Sequence, residues 1–364
     1  MFVALRDIRF AKGRFALMGS VVALITLLIV LLSGLTAGLA DQSTSAVRSL
    51  PADRIAFGAS GDGAPEESYA DSTVTRAQID AWTGVDGVDW AEPLGVTQGR
   101  VGFAGGGSTA AAVFGVPAGG RLAPDGLEPG PGLVVSEEVA EDFGVAEGDT
   151  VTVSGTALTV DAVAGTRHYS HTPAVWTDIG TWRGLDPRVR HSEGADAPAA
   201  TVVAAQASSD AAASADAEAG TVSATLPDSL SAIGAFSSEN GSLLAMQGFL
   251  YAISALVIGA FLTVWTIQRG GDVAILKALG GSTRYLLRDA LAQALIVLVA
   301  GAAVGGGTGV AVGLLASNAL PFSLTAATTA GPVAAMVVLG MLGAVLAVRR
   351  ITSVDPLTAL GGVR

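Results

Sequence analysis

The densest run of chemically capable side chains is His168-Tyr169-Ser170-His171. Imidazole and phenol groups can ligate a metal or pass a proton. No nucleophile partner accompanies them, and the neighbouring acids Glu137 and Glu138 read as exposed. The plainer alternative for the four residues is a polar turn. Glu239, Met246 and Tyr251 form a second set, just before and within an apolar stretch, where they could face a slot or simply pack. Met18 sits in another apolar stretch and His191 stands apart. Asp210, Asp216 and Glu218 read as a solvated face. Trp82, Trp90, Trp176 and Trp182 read as core or membrane-surface residues. With no cysteine, disulfides and thiolate chemistry are excluded. No G-x-x-x-x-G-K-[ST] phosphate loop occurs, and Gly305-Gly306-Gly307-Thr308-Gly309 lies inside an apolar stretch. The sequence therefore offers no catalytic constellation, no intrinsic cofactor or metal site, and nothing that points to nucleic acid.

The elements that must position these residues follow from composition. Half the residues are hydrophobic, 14% are charged, mean hydropathy is +0.55 and net charge is −12. A soluble domain carries about a quarter charged residues. The combination implies apolar spans joined to an acidic soluble part. Three stretches carry no charge: 15–40, 240–268 and 290–348. About 20 apolar residues cross a bilayer core, so the first two fit one crossing each and the third fits two. Ser317, Asn318, Pro321 and Pro332 would break the third.

The expected fold is membrane α-helical with a mixed α/β domain inserted between the first and second spans. The expected layout is an interfacial helix at 1–15, spans at 16–40, 246–267, 289–316 and 330–348, and a domain at 41–240. An inner loop at 268–288, an outer loop at 317–329 and a tail at 349–364 complete it. Phe2, Leu5 and Ile8 share one face of the first segment, as an interfacial helix would; the alternative is a plain extension of the first span. Gly38 and Ala40 are small enough for signal cleavage, but the apolar run is far longer than a signal core.

Charge gives the orientation. Segment 41–240 holds nine cations against 28 anions, whereas the short inner segments together hold 11 cations against four anions. Short cationic loops stay inside. The reading is a multi-pass protein of the bacterial plasma membrane with both termini cytoplasmic and the large domain outside.

Within that domain, 132–136 reads as a strand with Ser136 capping a following helix, and Gly155 as a hairpin turn. Segment 202–222 reads as strand, Ala-rich helix, strand, with a flexible linker at 208–220 as the alternative. In the membrane, Gly301, Gly305, Gly309 and Gly313 recur every four residues, a spacing that lets another helix approach closely.

The segment Asp272-Val-Ala-Ile-Leu-Lys-Ala-Leu-Gly-Gly-Ser282 resembles the cytoplasmic coupling loop of MacB/FtsX-type ABC transporter permeases. Val134–Ala140 with Phe143–Val153 resembles that family's outer core domain, and Arg349–Leu360 its C-terminal tail. The resemblance implies that the loop docks on a cytoplasmic ATPase subunit that binds the ATP. Asp272, Ile275, Leu276, Lys277, Ala278, Leu279 and Gly280 would make the contact; a helix bound only to lipid is the alternative. It also implies a homodimer of permeases with two ATPases, and four helices per chain are few to enclose a path. The runs Leu5–Met18 and Leu32–Leu39 are similar to the haem-exporting (HrtB-like) and DevC-like branch. Haem is then the expected transported substrate, with Met246, Glu239, Tyr251, His168, Tyr169 and His171 as candidate contacts. Another lipid-like substrate, or an FtsX-like relay to an outer partner, are the alternatives.

Overall fold

A computed structural model describes residues 12–59, 63–190, 192, 194, 197–268, 282–317 and 319–352. In chain order the helices are α1 (Lys12–Arg48), α2 (Arg76–Gly84), α3 (Glu137–Phe143), α4 (Ile179–Leu185), α5 (Ser209–Ala219), α6 (Leu226–Ser229), α7 (Gly234–Gln268), α8 (Thr283–Ala316) and α9 (Ala326–Thr352). The chain divides into two compact units, Leu39–Asn240 and the remainder. Among the described residues four helices are long and apolar enough to cross a membrane, over Phe15–Arg48, Gly234–Trp265, Leu287–Ala316 and Ala326–Ala347. The protein thus has four candidate spans with an α/β domain between the first and second.

The helices outrun the charge-free windows. α1 continues through Asp41 to Arg48, and α7 starts at Gly234. Hydropathy marks where a helix is apolar, not where it ends. Pro332 lies inside α9 instead of before it. The helix starts earlier because Thr325 and Thr328 cap it reciprocally: each backbone N–H donates to the other's hydroxyl, at 2.9 and 3.2 Å. Proline in the second turn removes one helical hydrogen bond.

In the membrane unit, α8 meets α1 through glycines. A Cβ at Gly301 would stand 2.8 Å from the carbonyl oxygen of Gly19, and one at Gly309 would stand 2.9 Å from Val30. At Gly305 it would collide with the Ala23 backbone. Gly313 and Gly34 both face the ring of Phe322, and Gly38 faces the Pro321 carbonyl. The Ser323 amide donates to the Gly34 carbonyl at 3.0 Å. The loop after α8 is therefore keyed into glycine notches on α1 and α8. Met18, Ile29, Ile258, Leu298 and Met336 fill the bundle core.

The inserted domain is built on one bent strand, β3 (Val88–Phe103). Its first half pairs antiparallel with β11 (Val202–Ala207), which leads on to β1 (Arg54–Phe57) and β12 (Val222–Thr225). Its second half pairs with β4 (Ser108–Val116). From β4 the order runs through β9 (Thr172–Asp178), β5 (Leu133–Ser136) and β7 (Thr156–Ala164) to β6 (Thr150–Val153). β6 pairs back onto β3 at 101–103, closing a six-stranded ring. Side chains alternate across each strand. In β1, Ala56 faces α2 and α5, while Ile55 and Phe57 enter the main core.

Two local devices set the packing. α5 is a true helix, capped by the Ser208 hydroxyl and ended by Gly220 at φ 64°, and it buries Ala211, Ala212 and Ala215. Alanine keeps that face thin enough to lie close on the sheet. Trp182 on α4 lies fully buried over Gly95 and Gly115, which sit opposite one another in the β3–β4 ladder.

Gly305→Leu should lower the stability of the detergent-purified chain by about 1–3 kcal/mol or more, the cost of overpacking a tight contact. Gly307→Ala points into open space and should leave the melting temperature unchanged. Equal melting of both variants would remove the glycine contact from the account.

Candidate functional site

The run His168–His171 is the turn of a hairpin. β8 (His168–Tyr169) pairs with β9, Tyr169 standing opposite Thr172. The two residues between them, Ser170 and His171, have φ of 50° and 62°. A two-residue hairpin closed by a type I′ turn demands positive φ at both positions. Neither residue is glycine, so the conformation carries a cost that surrounding contacts must offset.

Those contacts come from the polar end of α1. The Ser170 and His171 amides donate to the Ser43 and Gln42 carbonyls, both at 3.0 Å. The His168 amide donates to the Ser45 hydroxyl at 2.9 Å. The His171 Nε2 atom lies 3.0 Å from Ser43 Oγ and 2.9 Å from Glu239 Oε2 at the start of α7. The histidine therefore ties α1, the hairpin and α7 together. His168 is engaged on the other side, 2.7 Å from Glu138 Oε2. Arg167 anchors the hairpin's base on Asp125, and its guanidinium holds that carboxyl below the usual carboxylate range.

Tyr169 turns inward. Its ring meets Phe114 and Tyr69 edge to face at 5.8 and 6.0 Å, and burial pushes its phenol pKa up. Tyr69 is raised for the same reason, while the Ser229 hydroxyl 3.2 Å away works against the shift. Both phenols stay protonated.

In the membrane unit, Met246 is half exposed and Tyr251 packs partly into the bundle core. Five residues separate them, which is about 140° around a helix. A groove of about 640 Å³ runs between α1 and α8, walled by Phe15, Leu24, Leu27, Ile296, Val297 and Val304. The two hydroxyls on it, Ser20 and Thr308, already bond to the Leu17 and Val304 carbonyls. Only C–H surface is offered to an occupant. The expected coupling residues Asp272 and Ile275–Gly280 lie outside the described residues.

Comparison with known families decides the class. The MacB-like periplasmic core domain model matches residues 16–220, and the FtsX-like permease C-terminal model matches residues 244–356. The chain is a permease of the MacB/FtsX type. The permease is 29% identical over 143 residues to a protein of Staphylococcus epidermidis that bears the name "Putative hemin transport system permease protein HrtB". That match covers 39% of this chain and 41% of the relative. It is 33% identical over 116 residues to an uncharacterized ABC transporter permease of Mycobacterium tuberculosis, covering 31% of this chain and 32% of that one. The permease thus aligns with about two fifths or less of the length of these relatives. Among solved structures, the periplasmic region of MacB from Actinobacillus actinomycetemcomitans matches 49% of this chain and 90% of its own at 10% identity, with a TM-score of 0.35. The extracellular domain of YknZ matches 46% and 89% at 19% identity, with a TM-score of 0.31.

Reading along the sequence gives the histidines but not their partners. Ser43 and Glu239 lie 128 and 68 residues from His171; Glu239 stands out in the sequence as a candidate contact before the second span, but nothing there pairs it with His171, and nothing marks Ser43. The positive φ at Ser170 has no sequence signature, and the tolerance of histidine for that region marks His171 only weakly.

A double-mutant cycle on His171→Gln and Glu239→Gln, read by thermal unfolding, should give a coupling of up to about 1 kcal/mol. The side chains are 29% and 44% exposed, and solvent screens such pairs. A coupling of zero would leave the turn held by its backbone bonds alone.

Proposed function

We propose that this permease is the membrane subunit of an efflux complex driven by a separate cytoplasmic ATPase, exporting haem or a similar hydrophobic molecule. The carrying observation is the pair of family matches, which together take in the inserted domain and the last three spans. The cation excess of the short segments supports an orientation with both termini cytoplasmic and the inserted domain outside. The chain carries no phosphate-loop motif, so ATP binding falls to the partner. Four spans per chain favour a complex of two permeases with two ATPases.

In this reading the segment 268–288 enters a cleft of the ATPase. Asp272, Ile275, Leu276, Lys277, Ala278, Leu279 and Gly280 form the contact, as the resemblance of this segment to the family's coupling loop implies. Gly301, Gly305, Gly309 and Gly313 hold α8 against its neighbours while that motion is passed on. Leu279→Asp should abolish co-purification with the ATPase and leave membrane insertion intact. Normal co-purification would defeat the coupling assignment.

Haem as substrate is supported by the partial likeness to the HrtB relatives. Haem iron takes ligands such as histidine, methionine or tyrosine. Met246, with Glu239 and Tyr251 on the same helix, is the leading contact, because its side chain is half exposed. His168, Tyr169 and His171 are taken up in the hairpin and contribute less readily. Haem added to the detergent-purified chain should give a saturable Soret shift, weakened by Met246→Ala or Glu239→Ala. A titration unchanged by both substitutions would remove these ligands. An absent shift would favour the second reading, export of a lipid-like molecule, which the ligand-free apolar groove supports on its own.

A further inference from the structure

The first turn of α7 and the aromatic core meet at a cavity that the export reading does not use. It holds about 440 Å³, within the range of small-molecule sites. Its walls come from residues 69–70, 96–98, 169–170, 187–188 and 233–235, all described and all in the inserted domain.

Gly234 and Ala235, at the start of α7, form one side. The amides of Gly234, Ala235 and Phe236 have no acceptor among the described residues; the helix's first bond runs from the Ser237 amide to the Ile233 carbonyl at 2.9 Å. Ile233 stands where a capping side chain would be and has no acceptor atom, and the first turn holds no acid. A 35-residue helix thus presents the positive end of its dipole, about half a charge, with no counter-charge of its own.

Tyr169 supplies a second, independent donor. The residue is only 7% exposed, yet among the described residues nothing bonds its hydroxyl; burial and the charge of Arg188 alone act on it. Buried hydroxyls normally find a partner. Among the described residues, Trp182 Nε1 is the one fully enclosed polar side-chain atom without a partner. The Tyr169 oxygen is therefore not sealed in, and it opens on the cavity that the residue lines. Arg188 lies on the same wall. Asp186 holds its guanidinium at 2.7 Å, and the Val96 and Ala70 carbonyls hold it at 2.9 and 2.6 Å. Its Nη1 spends one of two N–H groups on Ala70. The ion pair with Asp186 cancels the charge, so Arg188 adds a fixed N–H and little net potential.

The charge count selects the ligand. A half charge from the helix beside a cancelled ion pair suits a single negative charge. A phosphate monoester carries about −1.5 to −2 and would be left undercompensated, whereas an ionised carboxyl group carries one charge and accepts several hydrogen bonds. Val96, Pro187 and Ile233 add apolar wall, which a bare carboxylate would leave unused.

We propose that this cavity binds the carboxylate of a small organic acid with an apolar body. The α7 amides and the Tyr169 hydroxyl donate to its oxygens, and Arg188 lies beside them. The site stands independently of the export reading.

The test is saturation-transfer NMR on the detergent-purified full chain, titrated with benzoate and hippurate. Benzamide and phenyl phosphate serve as the neutral and dianionic counterparts. At least one carboxylate should bind saturably, about tenfold or more tighter than benzamide. Tyr169→Phe removes the donor and no internal bond, so melting should hold while affinity falls about tenfold. Ala235→Asp gives the helix its own counter-charge, so melting should hold or rise while carboxylate binding is lost. Both variants sit in the same detergent as the parent chain, so partition into micelles cannot mimic these losses. No saturable binding by either carboxylate, equal binding of benzamide, tighter binding of phenyl phosphate, or binding unchanged in both variants overturns the proposal.

Discussion

Helix α8 lies so close to α1 that a Cβ on any of three of its glycines would meet backbone or Cβ atoms of α1, and the membrane unit rests on that approach. Hydrocarbon gives no reward for burying leucine, because lipid tails are as apolar as a neighbouring helix. What remains is van der Waals contact, which falls away steeply with distance. Gly301, Gly305 and Gly309 bring α8 onto the Gly19–Val30 stretch of α1 at its closest. Phe322 then locks the far end by filling the notch between Gly34 and Gly313. The same ring could not fit if either glycine carried a side chain. Close packing here is a property of missing atoms.

The inserted domain obeys a different rule, since water drives its burial. Its core is a chain of aromatic rings, Phe57, Tyr69, Tyr169, Phe114 and Trp176, each against the next. Tyr169 sits in the middle of that chain and also forms the base of the strained turn. Anchoring the phenol in the core sets where Ser170 and His171 must lie, and the α1 carbonyls then accept their amides. The strain in the turn is thus held from two sides, by ring packing below and by hydrogen bonds from α1. His171 adds the only side-chain bridge among the described residues from that turn to Glu239.

The architecture was legible because its signals are one-dimensional. Charge-free windows mark spans, and an excess of acids marks the soluble insertion. Ser136 and Ser208 announce their helices as caps do, and Gly155 marks its hairpin. The linker alternative for 208–220 falls because alanines at 211, 212 and 215 form one buried face, which a linker does not need. Other features are set in three dimensions and leave no such trace. Helix ends beyond the apolar window depend on polar residues whose helicity only the fold reveals. The polar extension of α1 from Asp41 to Arg48 reads as loop in hydropathy, yet it supplies Gln42, Ser43 and Ser45 to the hairpin.

The chemistry of the membrane unit narrows what a cargo could find there. The groove between α1 and α8 offers carbon surface and two hydroxyls already bonded to their own helix. A porphyrin placed in it would find stacking area but no iron ligand. The side chains that could supply one, Met246 and Tyr251, lie about 140° apart around α7, so one helix cannot turn both towards a single flat ligand. Helical geometry thus rules out Met246 and Tyr251 as a pair of ligands to one haem. A haem held at this helix would take one ligand from it, and the second would come from another helix, another copy of the chain, or solvent. A lipid asks for none of these. Glu239, seven residues before Met246 on α7 and so on nearly the same face, is already engaged by His171 at 2.9 Å.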